Sequence, residues 1–567
     1  MPSKNIIFKT LGKKTQTLLL LFFAIVLGVM SKVFSALIIR NIIDWVLPTV
    51  ETDKLLFWVG LFAVVTLFSF LIDIFIKNRS LVIGTEISNS LAKAVYSSAI
   101  RAEINELNKI ETEDLVKRIG EDCATIGNQY IGNNWLTFIQ SLIFLIVIFI
   151  SMMVLDPALG LLTYVTLPLV YMIVKTTDKY IDKVNQRAEK QYLKRSGEIR
   201  ENFEKIRSIK LKNGVLHEEN EFEIKSENFF KQYRNIQNLS EMINFKFYDL
   251  FVGFALAVIL GLGGYLAMSD SLTTGTIVAF VILTPYAYTT FKKILDVRIS
   301  INNIKKEIEA INLVLGLRSE LKSEPITTLE DVHTLRFENV TYYSGDERLE
   351  NINFDIKRGE KLGVISIAGP GQDLMFNLFT KLIRPRDGVI TINNCDINKI
   401  NTFYLRDLIT AVPQDDCLFS DTIINNITYP LPFDEYKYND ALHKSGLKET
   451  VSIFENKDQT IIDTFSDELL QRITLANAFY KDSKIFVFNE ATSSLEVRDE
   501  DAIMGEIFKL KNKIVVLMTD KIYYIAKCDK VLILENEQVV EYGRTEELLQ
   551  DRSSLYSKMV RKVRKVS

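Results

Sequence analysis

The sequence has few of the residues that build metal sites or disulfide frameworks. Its four cysteines lie far apart along the chain and without metal-ligand spacing, at Cys123, Cys395, Cys417 and Cys528. We therefore expect no disulfide and no metal site. The formal net charge of −3 over 567 residues argues against a nucleic-acid partner. A short basic run at residues 561–565 is more typical of a solvated chain end than of a lipid-binding patch.

A cleavable targeting signal is also lacking. The first apolar run follows Lys13 and Lys14, is too long for the core of a signal peptide, and is not followed by a small-residue cleavage pattern. No cysteine-peptidase domain precedes this run, so we predict no leader-peptide cleavage by this chain. We expect the run to remain in the mature protein.

Apolar residues are concentrated in roughly the first 300 positions, and the mean hydropathy of the whole chain is +0.11. Each apolar run is close to the roughly 20 residues that a helix needs to cross a bilayer. Buried helices of a soluble protein are the alternative, but the first run has no polar face after Thr17. The sequence predicts an all-α membrane domain with six spans near residues 17–39, 55–76, 133–155, 157–175, 247–268 and 277–296.

The loops between the spans predict an orientation in the plasma membrane. Short loops near 46–54, 155–158 and 269–276 carry acids, whereas the long segments 77–130 and 176–245 are rich in Lys and Arg. Because positive loops stay on the cytoplasmic side, we expect both long segments and both chain ends there. The helical periodicity of the long segments predicts charged hairpins with tips near residues 105–114 and 212–221.

The ionisable residues within or close to the predicted spans include Lys32, Asp73, Asp249 and Asp296. A charge near the end of a span can reach the membrane surface along its own side chain. Lys32 is the best candidate for a charge that faces a cavity, because an intramembrane charge faces protein or water rather than lipid.

From about residue 325 the composition changes to alternating strand and helix patterns, which predict an α/β domain with a largely parallel sheet. Residues 362–366 are typical of a buried strand, a glycine-containing loop follows, and residues 374–383 are predicted as a helix. A glycine loop between a strand and a helix is the setting of a phosphate-binding loop. We predict a membrane domain over 1–310, a linker over 311–325 and the α/β domain over 326–567.

Five short motifs follow one another in the chain: RGEK at 358–361, VPQD at 412–415, LFS at 418–420, EATSSLE at 490–496 and VVEYGRTEEL at 539–548. Their order resembles that of half-transporters of the ATP-binding cassette (ABC) exporter family. The resemblance covers nearly all of the chain, and the half-transporters that it resembles include bacterial peptide and bacteriocin exporters. It implies a P-loop-type ATP-binding cassette after the membrane domain, ATP and Mg²⁺ as cofactors, and a second half-transporter as partner.

The phosphate loop departs from the family pattern G-x-x-x-x-G-K-[ST]. There the lysine neutralises phosphate oxygens and the hydroxyl holds Mg²⁺. This chain has Gln372 at the lysine position and Asp373 at the hydroxyl position. Two like charges about 4 Å apart repel by roughly 4 kcal/mol at an effective dielectric near 20, so an anion here disfavours a triphosphate. The loop positions are Ser366, in place of the first glycine, Gly369, Gly371, Gln372, Asp373 and the following Leu374.

Two further positions of the nucleotide site change in the same direction. Asn489 replaces the acid that orders Mg²⁺ in the family, and Asp520 replaces the histidine that contacts the γ-phosphate. Glu490 stands at the position of the carboxylate that orients the attacking water. Because Mg²⁺ and phosphate contacts are weakened, we expect a structural hydrogen bond rather than catalysis from Glu490.

The signature motif Leu-Ser-Gly-Gly-Gln of the family, at a helix N-terminus, is also altered. Here Ser466 is followed by Asp467 and Glu468, so that two acids replace two glycines. Acids stabilise an empty helix N-terminus and compete with a phosphate there. The preceding segment 458–464 is shorter than in the family, which weakens the predicted coupling to the membrane domain.

Some family features remain. Gln414 matches the glutamine that touches Mg²⁺. Tyr342 or Tyr343 is a candidate for stacking on adenine, although a packed strand residue is an equally good interpretation of either tyrosine.

These observations predict a membrane-embedded pseudo-ATPase subunit of an exporter. The favoured hypothesis is a heterodimer whose other subunit supplies the ATP chemistry, with a homodimer as a possibility. One alternative is a nucleotide-independent conduit, receptor or immunity protein that retains the exporter fold, and another is a gene in decay. An apolar cavity serves peptides, lipids and drugs alike, so the cargo is left open as a peptide, a bacteriocin or another amphipathic molecule.

Overall fold

The computed structural model describes residues 2–241, 247–269, 271–320, 329, 331–344, 347–367, 371–414, 418–462 and 465–564. The chain forms two compact units. The first contains residues 1–97 and 112–316, and the second contains residues 98–111 and 317–567. The first unit thus ends inside the segment predicted as a linker, and the short segment 98–111 groups with the second unit.

The first unit is helical because its sequence is dominated by long apolar runs with few prolines and glycines to interrupt them. Its helices, together with the short α4 of the second unit, are α1 (Pro2–Gly12), α2 (Thr15–Asn41), α3 (Thr52–Ile100), α4 (Ile104–Leu107), α5 (Thr112–Lys117), α6 (Leu136–Leu155), α7 (Pro157–Glu204), α8 (Ile206–Leu211), α9 (Val215–Glu241), α10 (Phe247–Met268) and α11 (Thr274–Leu315).

All six predicted spans fall on apolar helices. Within the described residues, five helical stretches are long and apolar enough to cross a membrane, and residues Pro157–Met172 form a shorter apolar helix. The fold is therefore that of a multi-pass membrane domain. The helices α3 and α7 have 49 and 48 residues, about twice the length of a span. They bear out the prediction that the long charged segments continue the membrane helices.

Close helix packing in this unit depends on glycine. Between α5 and α6 the chain forms π-helical turns over Arg118–Asp122 and Thr125–Trp135. A Cβ atom on Gly84 of α3 would lie 2.7 Å from the carbonyl oxygen of Gly127, a distance that no side chain tolerates. Backbone therefore packs directly on backbone at this crossing.

Lys32 is paired inside the first unit. Its Nζ atom lies 2.7 Å from Asp73 Oδ2, which joins α2 to α3. The Nε2 atom of Gln140 on α6 lies 3.5 Å from the other oxygen of Asp73. The predicted intramembrane charge is thus compensated by an opposite charge on a neighbouring helix. Asp249 is exposed near the start of α10, at a position from which its carboxylate can reach the membrane surface.

The second unit is built on one ten-stranded sheet in the order β5-β4-β1-β2-β10-β9-β3-β8-β7-β6. The prediction of a largely parallel sheet holds for the neighbours β9, β3, β8, β7 and β6. The other half of the sheet is mostly antiparallel. The strands are β1 (Thr334–Ser344), β2 (Glu347–Lys357), β3 (Lys361–Ser366), β4 (Asp387–Ile392), β5 (Cys395–Asp396), β6 (Ile409–Val412), β7 (Ile485–Asn489), β8 (Ile514–Met518), β9 (Lys530–Glu535) and β10 (Gln538–Arg544).

Hydrophobic cores cover both faces of the parallel strands. Along β7, Phe486 and Phe488 belong to one core and Ile485 and Val487 to the other, as the two-residue period of a strand requires. The helices of this unit after α4 are α12 (Gly371–Phe379), α13 (Thr402–Leu408), α14 (Ile423–Thr428), α15 (Glu435–Lys444), α16 (Leu447–Ile453), α17 (Asp467–Lys481), α18 (Val497–Phe508), α19 (Ile522–Ile525), α20 (Thr545–Gln550) and α21 (Leu555–Arg564).

The helix predicted over 374–383 is wrong at both ends. It begins three residues earlier, at Gly371, and ends at Phe379. Lys381 has a φ of 54°, which is left-handed and cannot continue a right-handed helix. The earlier start brings Gln372 and Asp373 into the first helical turn, next to the carboxyl ends of the central strands.

Candidate nucleotide site

The ends of the central parallel strands place several of the candidate residues at one edge of the sheet. The parallel strands β3, β7 and β8 end at Ser366, Asn489 and Met518, and Asn489 is in register with Met518. Ligands of open α/β sheets bind at this carboxyl edge. Gly369, together with Pro370, lies outside the described residues, so the start of α12 at Gly371 is the first described point of the loop after Ile367.

Two amides and a carboxylate form a bonded chain at this edge. Gln372 donates from Nε2 to Asn489 Oδ1 at 2.8 Å, and Asn489 donates from Nδ2 to Asp373 Oδ1 at 2.7 Å. Asn489 is only 3% exposed, because it is the last residue of a strand buried on both faces. Its amide therefore connects two side chains of the first turn of α12. We call Gln372, Asn489 and Asp373 the amide clamp.

Glu490 directly follows Asn489, and its carboxyl group accepts hydrogen bonds from residues that meet it in the fold. Its backbone has a φ of 46°, an uncommon left-handed conformation for a residue other than glycine. The Asp520 backbone N–H donates to Oε1 at 3.0 Å, and Gln372 Nε2 lies 3.4 Å from the same oxygen. Thr519 donates to Oε2 at 3.4 Å. Burial raises the pKa of the Glu490 carboxyl above its usual value, and the nearby Asp520 carboxylate raises it further.

The signature helix α17 begins at Asp467 and is capped from within the chain. The Ser466 hydroxyl accepts a hydrogen bond from the Leu469 backbone N–H at 3.4 Å. Glu468 pairs with Arg472 one turn later, and the same guanidinium contacts Asp499, both at 2.5 Å. Because two carboxylates share this one cation, the charge of Glu468 is compensated only in part.

A buried glutamine ties the signature helix to the loop after β7. Gln471 is 2% exposed and lies 3.3 Å from the backbone carbonyl oxygen of Glu490, to which its Nε2 donates. Its side-chain oxygen accepts from the Ser494 backbone N–H at 2.9 Å. Sequence reasoning missed the roles of Gln471 and Arg472. The i,i+4 spacing of Glu468 and Arg472 was a readable signal for the ion pair, whereas no local pattern pointed to the bonds of Gln471.

A second buried carboxylate belongs to Glu500 on α18. The Glu500 side chain is 3% exposed and pairs with Lys521 Nζ at 2.6 Å. Thr492 also donates to this carboxylate, at 2.8 Å. The loop that carries Asp520 is thereby fixed to α18, and no local sequence pattern indicates this ion pair.

The remaining candidates lie outside the clamp. Tyr342 is 5% exposed and its hydroxyl accepts from Asn105 Nδ2 at 2.9 Å, which favours the packed-residue interpretation over adenine stacking. Tyr343 is 43% exposed, with the Arg386 guanidinium 5.8 Å from its ring centroid. Gln414 is exposed two residues after β6, and Leu374 is buried in the core beneath α12. Tyr343 stays the better candidate for contact with a base.

Comparison with known proteins identifies the family. The family model described as "ABC transporter transmembrane region" matches residues 18–291, and the model described as "ABC transporter" matches residues 349–493. Together these two matches cover more than half of the chain. The protein belongs to the ABC exporter family. It is a half-transporter, with a membrane domain fused to a cassette, and the family uses ATP with Mg²⁺ and acts as dimers.

Similar proteins agree with this assignment. A putative export ATP-binding/permease protein of Rickettsia typhi is 24% identical over 92% of this chain and 92% of its own length. An ATP-dependent lipid A-core flippase of Paraburkholderia xenovorans is 27% identical over 69% of this chain and 67% of its own. An alpha-hemolysin translocation ATP-binding protein of Escherichia coli is 27% identical over 53% and 43%.

A solved structure shows the same fold along nearly the whole chain. A bacterial Atm1-family ABC exporter with ATP bound superposes with a TM-score of 0.84 at 17% sequence identity, covering 97% of this chain and 98% of the other. The similarity extends over both the helical membrane domain and the cassette. The fold of an exporter subunit is therefore retained.

Proposed function

We propose that this chain is an exporter subunit whose cassette binds ATP weakly or not at all and does not hydrolyse it. In this proposal the chain pairs with another half-transporter that supplies the ATP chemistry. The observation that carries the proposal is the amide clamp, in which Gln372, Asn489 and Asp373 satisfy one another at the positions of the lysine, the Mg²⁺-ordering acid and the hydroxyl.

The clamp opposes a phosphate in two ways. Gln372 brings no positive charge, and its amide nitrogen already donates to Asn489. Asp373 brings a negative charge into the first turn of α12, where a triphosphate would experience a repulsion of roughly 4 kcal/mol at 4 Å. A nucleotide must also break hydrogen bonds that contribute about 1 kcal/mol each. These residues do not fit a triphosphate in the way that the family motif does.

In this proposal, the side chains that would hold a Mg²⁺ ion are also replaced or engaged in other contacts. Hard cations take carboxylate, hydroxyl and phosphate oxygens, and the Asn489 carbonyl oxygen is engaged by Gln372. Among the described residues, no cluster of three or more His, Cys, Asp or Glu side chains forms a metal site. The carboxylate of Asp373 is likewise used within the clamp.

Glu490 has a structural role in this proposal. Its carboxyl group accepts hydrogen bonds from the Asp520 backbone N–H and the Thr519 hydroxyl, and its pKa is raised by burial and by the nearby Asp520 carboxylate. A general base must face the water that it activates, whereas this carboxyl group fixes the loop after β8. Catalysis by Glu490 is therefore not proposed.

A heterodimer accounts best for the two altered motifs. In the family, each signature helix closes over a phosphate held by the other subunit, so two copies of this chain would form two deficient sites. A partner with complete motifs would bring one intact phosphate loop, which would meet the signature helix of this chain. Arg472 pairs with both Glu468 and Asp499, so it offsets only one of these two negative charges. Asp467 adds a further negative charge, and this surplus would oppose the partner's nucleotide.

The cargo and the orientation are further parts of the proposal. We propose an amphipathic cargo such as a peptide or bacteriocin; two similar proteins are named for lipid A-core and for alpha-hemolysin. On the distribution of Lys and Arg in the loops, both termini and the cassette are placed on the cytoplasmic side of the plasma membrane.

ATP turnover by the purified full-length chain tests the proposal. We expect the natural chain and its Glu490→Gln variant to give the same rate, at the background of the assay. A natural rate more than tenfold above that of Glu490→Gln would contradict the proposal. Copurification with a motif-complete half-transporter, and turnover by that pair, would support the heterodimer. A homodimer that moves a substrate without ATP would instead support the nucleotide-independent conduit.

A further inference from the structure

A cavity of about 700 Å³ lies within the membrane unit between α6, α7 and α11. This volume is within the range of ligand pockets in proteins. Four of its nine lining side chains are aromatic, and the others are apolar. Phe138 lines it from α6, Leu167 and Tyr171 from α7, and Phe291 from α11.

The local sequence explains why the helices do not close this space. Pro168 lies inside α7 and has no backbone N–H, so it cannot bond to the carbonyl group one turn earlier and loosens the helix there. Tyr164, which lines the cavity, donates its hydroxyl to the backbone carbonyl of Leu145 at 2.7 Å. This hydrogen bond fixes the Tyr164 ring as part of the cavity wall. The Tyr164 hydroxyl therefore needs no polar partner inside the cavity.

The chemistry of the lining selects the class of occupant. A peptide in such a cavity would bury backbone N–H and C=O groups without partners, at a cost of several kcal/mol for each group. A hydrocarbon chain carries no such groups and passes from the apolar bilayer to an equally apolar lining, so it loses no hydrogen bonds on entering. The cavity therefore fits an acyl chain far better than a peptide segment.

A cation lies beside the cavity. Lys175 follows Tyr171 by one helical turn, and its Nζ atom is 5.7 Å from the centroid of the Tyr171 ring. Lys175 is exposed and stands just beyond the apolar stretch Pro157–Met172, where a lysine reaches the lipid headgroups. A positive charge at this point complements an anionic headgroup whose acyl chain enters the cavity.

We propose that this cavity binds an acyl chain of a bilayer phospholipid and that Lys175 pairs with the anionic headgroup of that lipid. The bound phospholipid is a resident ligand of the membrane unit rather than the transported cargo. The proposal does not depend on the state of the nucleotide site.

Quenching of tryptophan fluorescence by brominated lipids tests the proposal in the full-length protein. The three natural tryptophans, Trp45, Trp58 and Trp135, are first replaced by Phe. Phe291→Trp then places a reporter in the cavity wall, and Leu169→Trp places a matched reporter on an exposed face of α7. Each variant is reconstituted with mixtures of brominated phosphatidylglycerol and unlabelled phosphatidylcholine, and with the reverse labelling.

We expect phosphatidylglycerol to bind at least threefold more strongly than phosphatidylcholine at Phe291→Trp and equally at Leu169→Trp. The preference at Phe291→Trp should fall to about one when Lys175→Gln is added. Equal binding of the two lipids at both reporters would overturn the proposal. Weaker quenching at Phe291→Trp than at Leu169→Trp by either lipid would also overturn it, because the cavity would then hold something other than a phospholipid.

Mass spectrometry of the natural membrane protein provides a measurement without tryptophan substitutions. The chain released from detergent should retain phosphatidylglycerol, and Lys175→Gln should retain several times less. Lys293→Gln, which removes a different exposed lysine at the end of a span, is the control and should retain as much as the natural chain. Equal retention by the Lys175→Gln variant and the natural chain would contradict the role of Lys175.

Discussion

In the family, phosphate binds at the N-termini of two cassette helices, which correspond to α12 and α17 here. In this chain, different kinds of side-chain contact fill the two N-termini. At α12 the first turn is bonded to Asn489, which comes from a strand more than a hundred residues later in the sequence. At α17 the first turn is capped by Ser466 and paired with Arg472, both local to the helix. The first arrangement depends on tertiary structure, whereas the second rests mainly on contacts within one helix, with the pairing of Arg472 and Asp499 as an added tertiary contact.

This difference predicts how each region responds to substitution. Restoring phosphate binding at α12 requires changes on two elements at once, because each clamp residue is held by the others. Changes at α17 mainly affect contacts within the first two turns of that helix, together with the pairing of Arg472 and Asp499. We expect the largest effects from substitution of the whole clamp and the smallest from a single titrating group.

The largest effect is expected from repair of the clamp. The combined variant Gln372→Lys, Asp373→Ser and Asn489→Asp replaces an anion near the phosphate by a cation and restores an acid for Mg²⁺. Because the repulsion removed is roughly 4 kcal/mol, affinity for ATP should rise by at least about a hundredfold. Titration of the full-length protein with a fluorescent ATP analogue measures the gain.

The matched control makes the same three kinds of substitution at exposed positions, as Gln459→Lys, Asp387→Ser and Asn439→Asp. It should bind the analogue no better than the natural chain. If the repaired variant also fails to bind, the charges of the clamp are not the cause, and the backbone of the loop itself excludes the nucleotide.

Removing the central amide should destabilise the cassette. In Asn489→Leu the Gln372 amide and the Asp373 carboxylate lose their common partner in a buried position, which costs about 2 kcal/mol. The midpoint of thermal unfolding, measured for the full-length protein in detergent, should fall by several degrees. Asn439→Leu, at an exposed position of α15, should leave the midpoint unchanged. Equal midpoints for both variants would show that the clamp contributes nothing to stability.

A smaller loss is expected at the signature helix. Arg472→Met leaves Glu468 and Asp499 without their shared cation, which should lower the free energy of unfolding by about 1 kcal/mol. The effect should shrink in high salt, since the unpaired acids are partly exposed and their repulsion is screened. Unfolding midpoints at low and high salt check this. A loss as large as that of Asn489→Leu would contradict the contrast between a local pair and a tertiary network.

The smallest effect concerns the pH dependence of Glu490. Because its pKa is raised in the folded state by burial and by Asp520, the unfolded chain releases this proton first as the pH rises. Stability therefore falls as the pH rises above 4.5, the ordinary pKa of a glutamate. Glu490→Gln should be more stable than the natural chain at pH 7 and equally stable below pH 4.5. Unfolding midpoints across this range test the sign, and a variant less stable at pH 7 would contradict it.

Most of the fold could be predicted from the sequence, but few of the hydrogen bonds and ion pairs within the site could be. Apolar runs predict membrane helices, and the motif order predicts a cassette, because both depend on residue types that are close together in the chain. The clamp was not predictable, since Asn489 and Asp373 lie 116 residues apart and meet only when β7 and α12 are packed. The end of α12 was missed because the left-handed backbone of Lys381 has no marker in the sequence. The pair of Glu468 and Arg472 was readable, because i,i+4 charges meet on any helix.

Calorimetric titration of Mg-ATP into the purified full-length protein, with the repaired clamp variant measured alongside, decides whether the clamp replaces the nucleotide. We expect no heat of binding for the natural chain up to millimolar ATP, and saturable binding for the repaired variant. Binding by the natural chain at micromolar ATP would contradict the pseudo-ATPase proposal and make this chain a nucleotide-responsive subunit of an exporter.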